Sequence, residues 1–294
     1  MKVIVGQGSC GIAAGAKKVY EALQQQPGLG QDFQLGVSGC IGMCYLEPIV
    51  DLYDEEGRLL KRLVSVKQSD GARIAQAAAE GNLEPLADLF IKPEDEAFLD
   101  RQTRIALAHC GVIDPTDINA YLAEGGYQAL RKVLTQMTPE RVIEEIKISG
   151  LAGRGGAGFP TWFKWNAARN AKGDHKYLVC NADEGDPGAF MDRALIESDP
   201  HQLVEGMMIA AYAIGAEEAI VYVRAEYPLA IVRLENAMAQ AKAANLLGDR
   251  ILGTDFSCSM RIKAGAGAFV CGEETALLES LEGKRGMPRL RSEE

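Results

Sequence analysis

Gly153-Arg154-Gly155-Gly156-Ala157-Gly158 sets four glycines around one arginine. Glycine has no Cβ to collide with a ligand, so several backbone N–H groups of such a stretch can close on one anion. Phe159-Pro160-Thr161 and Lys164-Trp165 follow at once. Gly153-x-Gly155-x-x-Gly158 fits the spacing of a dinucleotide fingerprint, but that fingerprint follows a strand and opens a helix. Here the preceding residues, Thr138 to Ile146, read as an amphipathic helix with Thr138 as N-cap and Pro139 in its first turn. The loop therefore reads as a phosphate cradle of another type; a tight surface turn is the plain alternative, and four glycines with an arginine between them argue against it.

A second group is acidic. Asn181, Asp183, Glu184 and Asp186 follow an apolar strand, Tyr177 to Cys180, at the carboxyl end where open α/β sheets bind ligands. Their side chains suit the edge of a flat heterocycle or ribose hydroxyls. Asn-x-Asp and Asp-Pro are also ordinary turn formers, and the acids alone leave both readings open. The third group is Gly265-Ala266-Gly267, then Gly272-Glu273-Glu274-Thr275, leading into a helix over Ala276 to Glu282. Two carboxylates in a first helical turn serve a ligand or simply complement the helix dipole. Cys10, Cys40 and Cys44 form a metal-like set. Cys-x3-Cys in a glycine-bearing loop is half of an iron–sulfur site, which wants four thiolates, and Cys110 is poorly placed to be the fourth. Cys180 and Cys271 read as packing residues. His109, His175 and His201 share no spacing, and His201, in the first turn of a helix, is expected to be solvated.

Alternating elements are needed to hold these groups. Over residues 1–81 the pattern is strand Lys2 to Val5, helix Gly11 to Gln26, strands Phe33 to Val37, Ile49 to Tyr53 and Leu59 to Val64, and helix Val66 to Glu80. This β-α-β-β-β-α order is that of a thioredoxin-like domain. Residues 82–137 read as a helical connector. Residues 138–294 alternate again: strand Tyr177 to Cys180, a helix capped at Asp199-Pro200 and running to Ile214, strand Glu218 to Arg224, helix Pro228 to Asn245. The fold class is α/β with a mainly parallel sheet in this last part.

The chain of 294 residues, 47% hydrophobic, is long enough for about two domains. A net charge of −10 argues against nucleic acid as the main partner. No leader and no apolar run of spanning length stands out, so a soluble, cytoplasmic protein without direct membrane insertion is expected. Seven cysteines, an odd number, disfavour a fully paired secreted framework.

Taken together, Gly153 to Trp165, Asn181 to Arg193 and Gly265 to Arg289 resemble the NADH-oxidising flavoprotein subunit of respiratory complex I and its relatives. Those relatives include the diaphorase subunits of NAD(P)-reducing hydrogenases, of related formate dehydrogenases and of soluble reductases. His109 to Pro115 is similar to the connector of the hydrogenase-type members, and residues 1–81 resemble the thioredoxin-like [2Fe–2S] domain fused to them. The resemblance implies FMN and NAD(H) or NADP(H) as cofactors. It assigns Gly153, Arg154, Gly155, Lys164, Asn181, Asp183 and Glu184 to FMN, with Gly272, Glu273 and Glu274 completing the cavity wall. It also puts Phe159 in a stack on the nicotinamide nucleotide, Asp186 in contact with that nucleotide, and Glu274 near the nicotinamide, as the catalytic candidate. Hydride would pass from nicotinamide to flavin, and electrons would leave for iron–sulfur subunits of a hydrogenase, formate dehydrogenase or similar complex.

Two departures follow from the same resemblance. The family's Cys-x4-Cys would put its first cysteine at Val5, so the [2Fe–2S] set Cys10, Cys40, Cys44 is incomplete and weak or absent cluster occupancy is expected. The family pattern also runs on beyond Arg289 to Glu294 through a β-grasp domain and a helical bundle with a [4Fe–4S] cluster. The expected activity is that of an FMN-dependent NAD(P)H:acceptor oxidoreductase module; the competing reading is a truncated, non-catalytic interaction or assembly module of such a complex.

Overall fold

The computed structural model describes residues 1–289. Its elements are β1 (Lys2–Gly6), α1 (Ser9–Ala14), α2 (Ala16–Gln24), β2 (Gln34–Ser38), β3 (Val50–Tyr53), β4 (Leu59–Leu63), α3 (Gly71–Glu80), α4 (Pro93–Asp100), α5 (Ile118–Ala123), α6 (Gln128–Gln136), α7 (Pro139–Ser149), α8 (Thr161–Asn170), β5 (Tyr177–Ala182), α9 (Met191–Ser198), α10 (Pro200–Ile214), β6 (Glu218–Arg224), α11 (Pro228–Ala243), β7 (Ser259–Gly265) and α12 (Glu274–Leu281). They pack as two units, one of residues 1–120 with 194–199, the other of residues 121–193 with the described residues from 200 onward.

The first unit is built on a four-stranded sheet in the order β2-β1-β3-β4. β1 and β2 run parallel, and β3 and β4 are antiparallel to their neighbours. This is the thioredoxin-like arrangement expected from the element order. Val3 and Val5, alternate residues of β1, are fully buried and pack with Val19, Leu23, Val50, Leu52 and Ile74 in one apolar core, as the two-residue period of a strand dictates. The helix expected over Gly11 to Gln26 is broken at Gly15, whose φ of +110° ends α1 and starts α2. The last helix starts at Gly71 rather than Val66, after a short 3-10 turn at Gln68–Asp70. Residues 194–199 join this unit through buried polar side chains. Glu197 accepts from Ser9 N at 2.8 Å, Ser198 Oγ accepts from Cys40 N at 3.1 Å, and Asp199 Oδ2 lies 2.7 Å from His109 Nδ1.

The second unit carries a parallel sheet in the order β5-β6-β7. Its central strand is apolar on both faces, Ala219 to Val223 being buried, the pattern of a strand covered on both sides. Thr138 caps α7 as expected, accepting from Arg141 N at 3.3 Å, with Pro139 at the first helical position. α6, α7, α8 and α10 share a core of Val133, Val142, Ile143 and Ala213 with Trp162, Trp165 and Tyr212. His201 is not solvated. It is 2% exposed, its Nδ1 is 2.9 Å from Tyr127 Oη and its Nε2 is 3.1 Å from Gln240 Oε1, because it faces α6 and α11 across the buried side of α10.

Candidate functional site

Parallel strands deliver their carboxyl ends, and the loops that follow, to one edge of the sheet. At that edge of the second unit stand Asn181 to Asp186 at the end of β5, Arg224 to Tyr227 at the end of β6, and Gly265 to Glu274 at the end of β7. The glycine loop lies between α7 and α8. It is closed at its base, where Gly153 N donates to Phe159 O at 2.9 Å and Thr161 N to Leu151 O at 3.1 Å. Between those bonds, the N–H groups of Arg154 through Gly158 donate to no protein acceptor among the described residues. Gly156 and Gly158 have φ of +105° and +61°, a region glycine enters without steric cost. A Cβ at Gly155 or Gly156 would meet nothing within 4 Å. Successive exposed, unpaired amides in such a turn form an anion-binding concavity. The Arg154 guanidinium donates to Ala152 O at 2.7 Å and stays at the surface.

Several of the residues singled out come together. Lys164 Nζ is 2.9 Å from Glu274 Oε2, although 110 residues separate them, and it sits 5.8 Å from the Phe159 ring centroid. Phe159 packs edge-on against Phe163 at 5.7 Å and is 44% exposed. Asn181 Nδ2 donates to Gly272 O at 2.8 Å, and its Oδ1 accepts from Asp183 N at 3.1 Å. A Cβ at Gly272 would lie 3.4 Å from Asp183 O, so the two loops touch through backbone here. Asp183 is buried, and its Oδ2 has no hydrogen-bond partner. Burial pushes its carboxyl above the usual range, with Arg224 opposing and Glu226 adding to the shift. A buried carboxylate oxygen without a partner is costly unless a ligand donates to it.

Other candidates are committed to the fold. Glu184 caps α9, accepting from Asp192 N at 3.0 Å and Arg193 N at 3.2 Å, and it also accepts from Tyr227 Oη at 3.2 Å. Glu273 caps α12, accepting from Thr275 N and Ala276 N; with the Thr275 hydroxyl these bonds hold its carboxyl below the ordinary value. Gly265 leaves room for the Tyr222 ring, which a Cβ would meet at 2.9 Å. Asp186 lies on the exposed turn after Glu184.

Three residues were not foreseen. Arg224 donates to Glu184 O at 2.6 Å and to Glu226 at 3.0 Å. Tyr227 receives cation–π contacts from Arg193 and Arg224, 5.6 and 5.4 Å from its centroid. Asp192 is pushed up to about 6 by burial and by the charge of Glu184. Arg224 had a signal in the sequence: it is the last residue of an apolar strand, and therefore falls at the ligand edge. Asp192 lay inside the Asn181 to Arg193 motif without being singled out, and Tyr227 had no signal.

In the first unit the Sγ atoms of Cys10, Cys40 and Cys44 lie within 4.8 Å of one another. Cys40 and Cys44 are 3.7 Å apart, and Gly42 N donates to Cys40 Sγ at 3.3 Å. Burial raises both the Cys40 and the Cys44 thiol above the ordinary range. No helix among the described residues is long and apolar enough to cross a membrane.

Comparison with known proteins bears on this edge of the sheet. The chain is 59% identical over 188 residues to the NADP-reducing hydrogenase subunit HndC of Solidesulfovibrio fructosivorans, covering 64% of this chain and 38% of that protein. It is 54% identical over 187 residues to an NADH-quinone oxidoreductase subunit of Rhizobium meliloti, covering 64% and 44%. Among solved structures, it is similar to an NAD+-reducing [NiFe]-hydrogenase in the H2-reduced state. That match has a TM-score of 0.54 at 29% identity and covers 100% of this chain and 48% of that one. The air-oxidised form matches with a TM-score of 0.52, covering 99% and 47%. The chain thus spans less than half the length of these relatives. The family model of the Nuo51 FMN-binding domain matches residues 146–293, which take in the glycine loop, the acids after β5 and the Gly272 to Glu274 turn, and the chain belongs to that family.

Proposed function

We propose that this chain is the FMN- and NAD(P)H-binding part of a diaphorase, an NAD(P)H:acceptor oxidoreductase that exchanges electrons with iron–sulfur subunits of a larger complex. The observation that carries the reading is the loop of unpartnered amides from Arg154 to Gly158, with open space at Gly155 and Gly156. The buried, unpartnered Asp183 Oδ2 supports it. The residues present fit FMN. The loop amides and the Arg154 charge suit its phosphate, while Asn181 and Asp183 suit polar groups of the ring or its ribityl chain.

Bound FMN would supply hydride acceptance from nicotinamide and release of the electrons one at a time. The chain's own residues bind and orient. Asn181, locked between Gly272 O and Asp183 N, holds the two sheet-edge loops in register. Phe159, partly exposed, offers its ring to an aromatic ligand. Lys164 and Glu274, 57% and 69% exposed as side chains, form a pair that an incoming anionic nucleotide can open. That exchange frees the Glu274 carboxylate to accept a hydrogen bond from an amide. The test is reconstitution of the purified chain with FMN, followed by NADH- and NADPH-dependent reduction of a soluble one-electron acceptor. Stoichiometric flavin binding with activity is expected. A folded chain that takes up no FMN would refute the reading and favour an assembly module.

A further inference from the structure

The three-cysteine group of the first unit does not fit the [2Fe–2S] cluster implied by resemblance. Such a cluster takes four thiolates divided between two irons. The position where the fourth would fall, Val5, is fully buried on the core face of β1, packed with Val3 and Val50. Gly8, the position against Cys40, carries no side chain, and a Cβ there would lie 2.8 Å from Cys40 Cβ. No further cysteine, histidine or acid joins the group among the described residues.

The spacing fits a different ion. With metal–sulfur bonds of about 2.3 Å, the edge of a tetrahedron of thiolates is ~3.8 Å. Cys40 and Cys44 stand at 3.7 Å, and all three sulfurs lie within 4.8 Å of one another. Thiolates bound to opposite irons of a cluster stand farther apart than one such edge. The site is also built in advance. Gly42, at φ +92°, turns the Cys-x3-Cys loop back on itself and donates to Cys40 Sγ. Ser198 Oγ fixes the Cys40 amide, and Glu197 fixes Ser9, next to Cys10.

We propose that Cys10, Cys40 and Cys44 hold a single Zn2+ ion, with its fourth coordination position open to water or another exchangeable ligand. Soft thiolates select zinc among common divalent ions, and three protein ligands leave a tetrahedral site with one free position. Zinc carries no electron, so this domain would be a structural or ligand-exchange centre and stand outside the electron path.

The test uses the full chain, purified without oxygen and with reductant. One zinc per chain is expected. Co2+ exchanged into the site should give the charge-transfer and d–d bands of tetrahedral thiolate coordination. Equimolar Zn2+ should protect Cys10, Cys40 and Cys44, mapped by mass spectrometry, from alkylation. Cys10→Ser and Cys44→Ser should each lower Zn2+ affinity by roughly two orders of magnitude without changing flavin content. If either variant fails to fold, the alkylation map of the unaltered chain decides. Two irons with two labile sulfides per chain would overturn the assignment, as would three thiols that stay fully reactive beside Zn2+.

Discussion

Replacing Gly155 with alanine separates a ligand effect from a folding effect. A Cβ at this position meets no protein atom within 4 Å, and the residue does not adopt a left-handed φ. The folded chain can therefore accept alanine, and the loss of unfolded-chain freedom stabilises it by about 0.4–1 kcal/mol. If the loop amides close on the flavin phosphate, the same methyl stands where the ligand must approach. Losing one or two hydrogen bonds to a charged oxygen costs ~1.5–3 kcal/mol, or roughly 10- to 100-fold in FMN affinity. Gly156→Ala is the control of opposite character: at φ +105°, alanine is strained by ~1–2 kcal/mol in the fold itself. FMN affinity is measured by quenching of flavin fluorescence on the apoprotein, and stability by calorimetry without flavin. Gly155→Ala should weaken FMN binding while its melting temperature holds or rises. Unchanged affinity, or a melting temperature that falls in step with affinity, would refute a phosphate cradle at this loop.

The exposed Lys164–Glu274 pair contributes under about 1 kcal/mol to stability. Glu274→Gln and Asp186→Asn should therefore keep fold and FMN but raise KM for NAD(P)H or abolish its oxidation, and parallel loss of flavin would sink that division of roles. Asp192, at about 6 against an ordinary 3.8, holds its proton more tightly folded than unfolded. Its contribution therefore weakens the fold as pH rises from about 4 through 6. Allowing for its partial exposure, the effect is on the order of 1–2 kcal/mol. In urea unfolding at pH 4.5 and 7.5, Asp192→Asn should gain stability relative to the unaltered chain only at the higher pH, and an equal gain at both would count against it. Gly39→Ala would drive a Cβ to within 2.6 Å of Ser198 Cα; overpacking of about 2–3 kcal/mol should lower the melting temperature, and an unchanged one would mean that residues 194–199 do not pack as described.

Where a local rule governed, the sequence was readable. Thr138-Pro139 announced the start of α7, the run Glu218 to Arg224 announced a buried parallel strand, and the glycine loop announced exposed amides. The acids were legible as a group but not in their separate duties. Glu184 and Glu273 cap helices, and only the fold shows that their amide partners lie within reach. His201 reads as a polar residue in a first helical turn, and its burial comes from Tyr127 and Gln240, 74 and 39 residues away. The break at Gly15 was hidden because alanines and lysines continue the helical period across it. Arg224 shows the opposite case, a position that strand direction alone could have assigned to the site.

The six-residue insertion of 194–199 into the first unit constrains the order in which the chain can become native. Ser9 and Glu197 are 188 residues apart, and Cys40 and Ser198 are 158 apart. During synthesis from the N-terminus, the four-stranded sheet can form early. Yet the Cys40 amide and His109 meet Ser198 and Asp199 only once those residues have emerged. Non-local pairings of this kind slow folding and leave polar groups open meanwhile. The Cys40 amide thus gains the Ser198 hydroxyl only once residue 198 is made, and metal capture before that point would meet a looser loop than the folded chain presents.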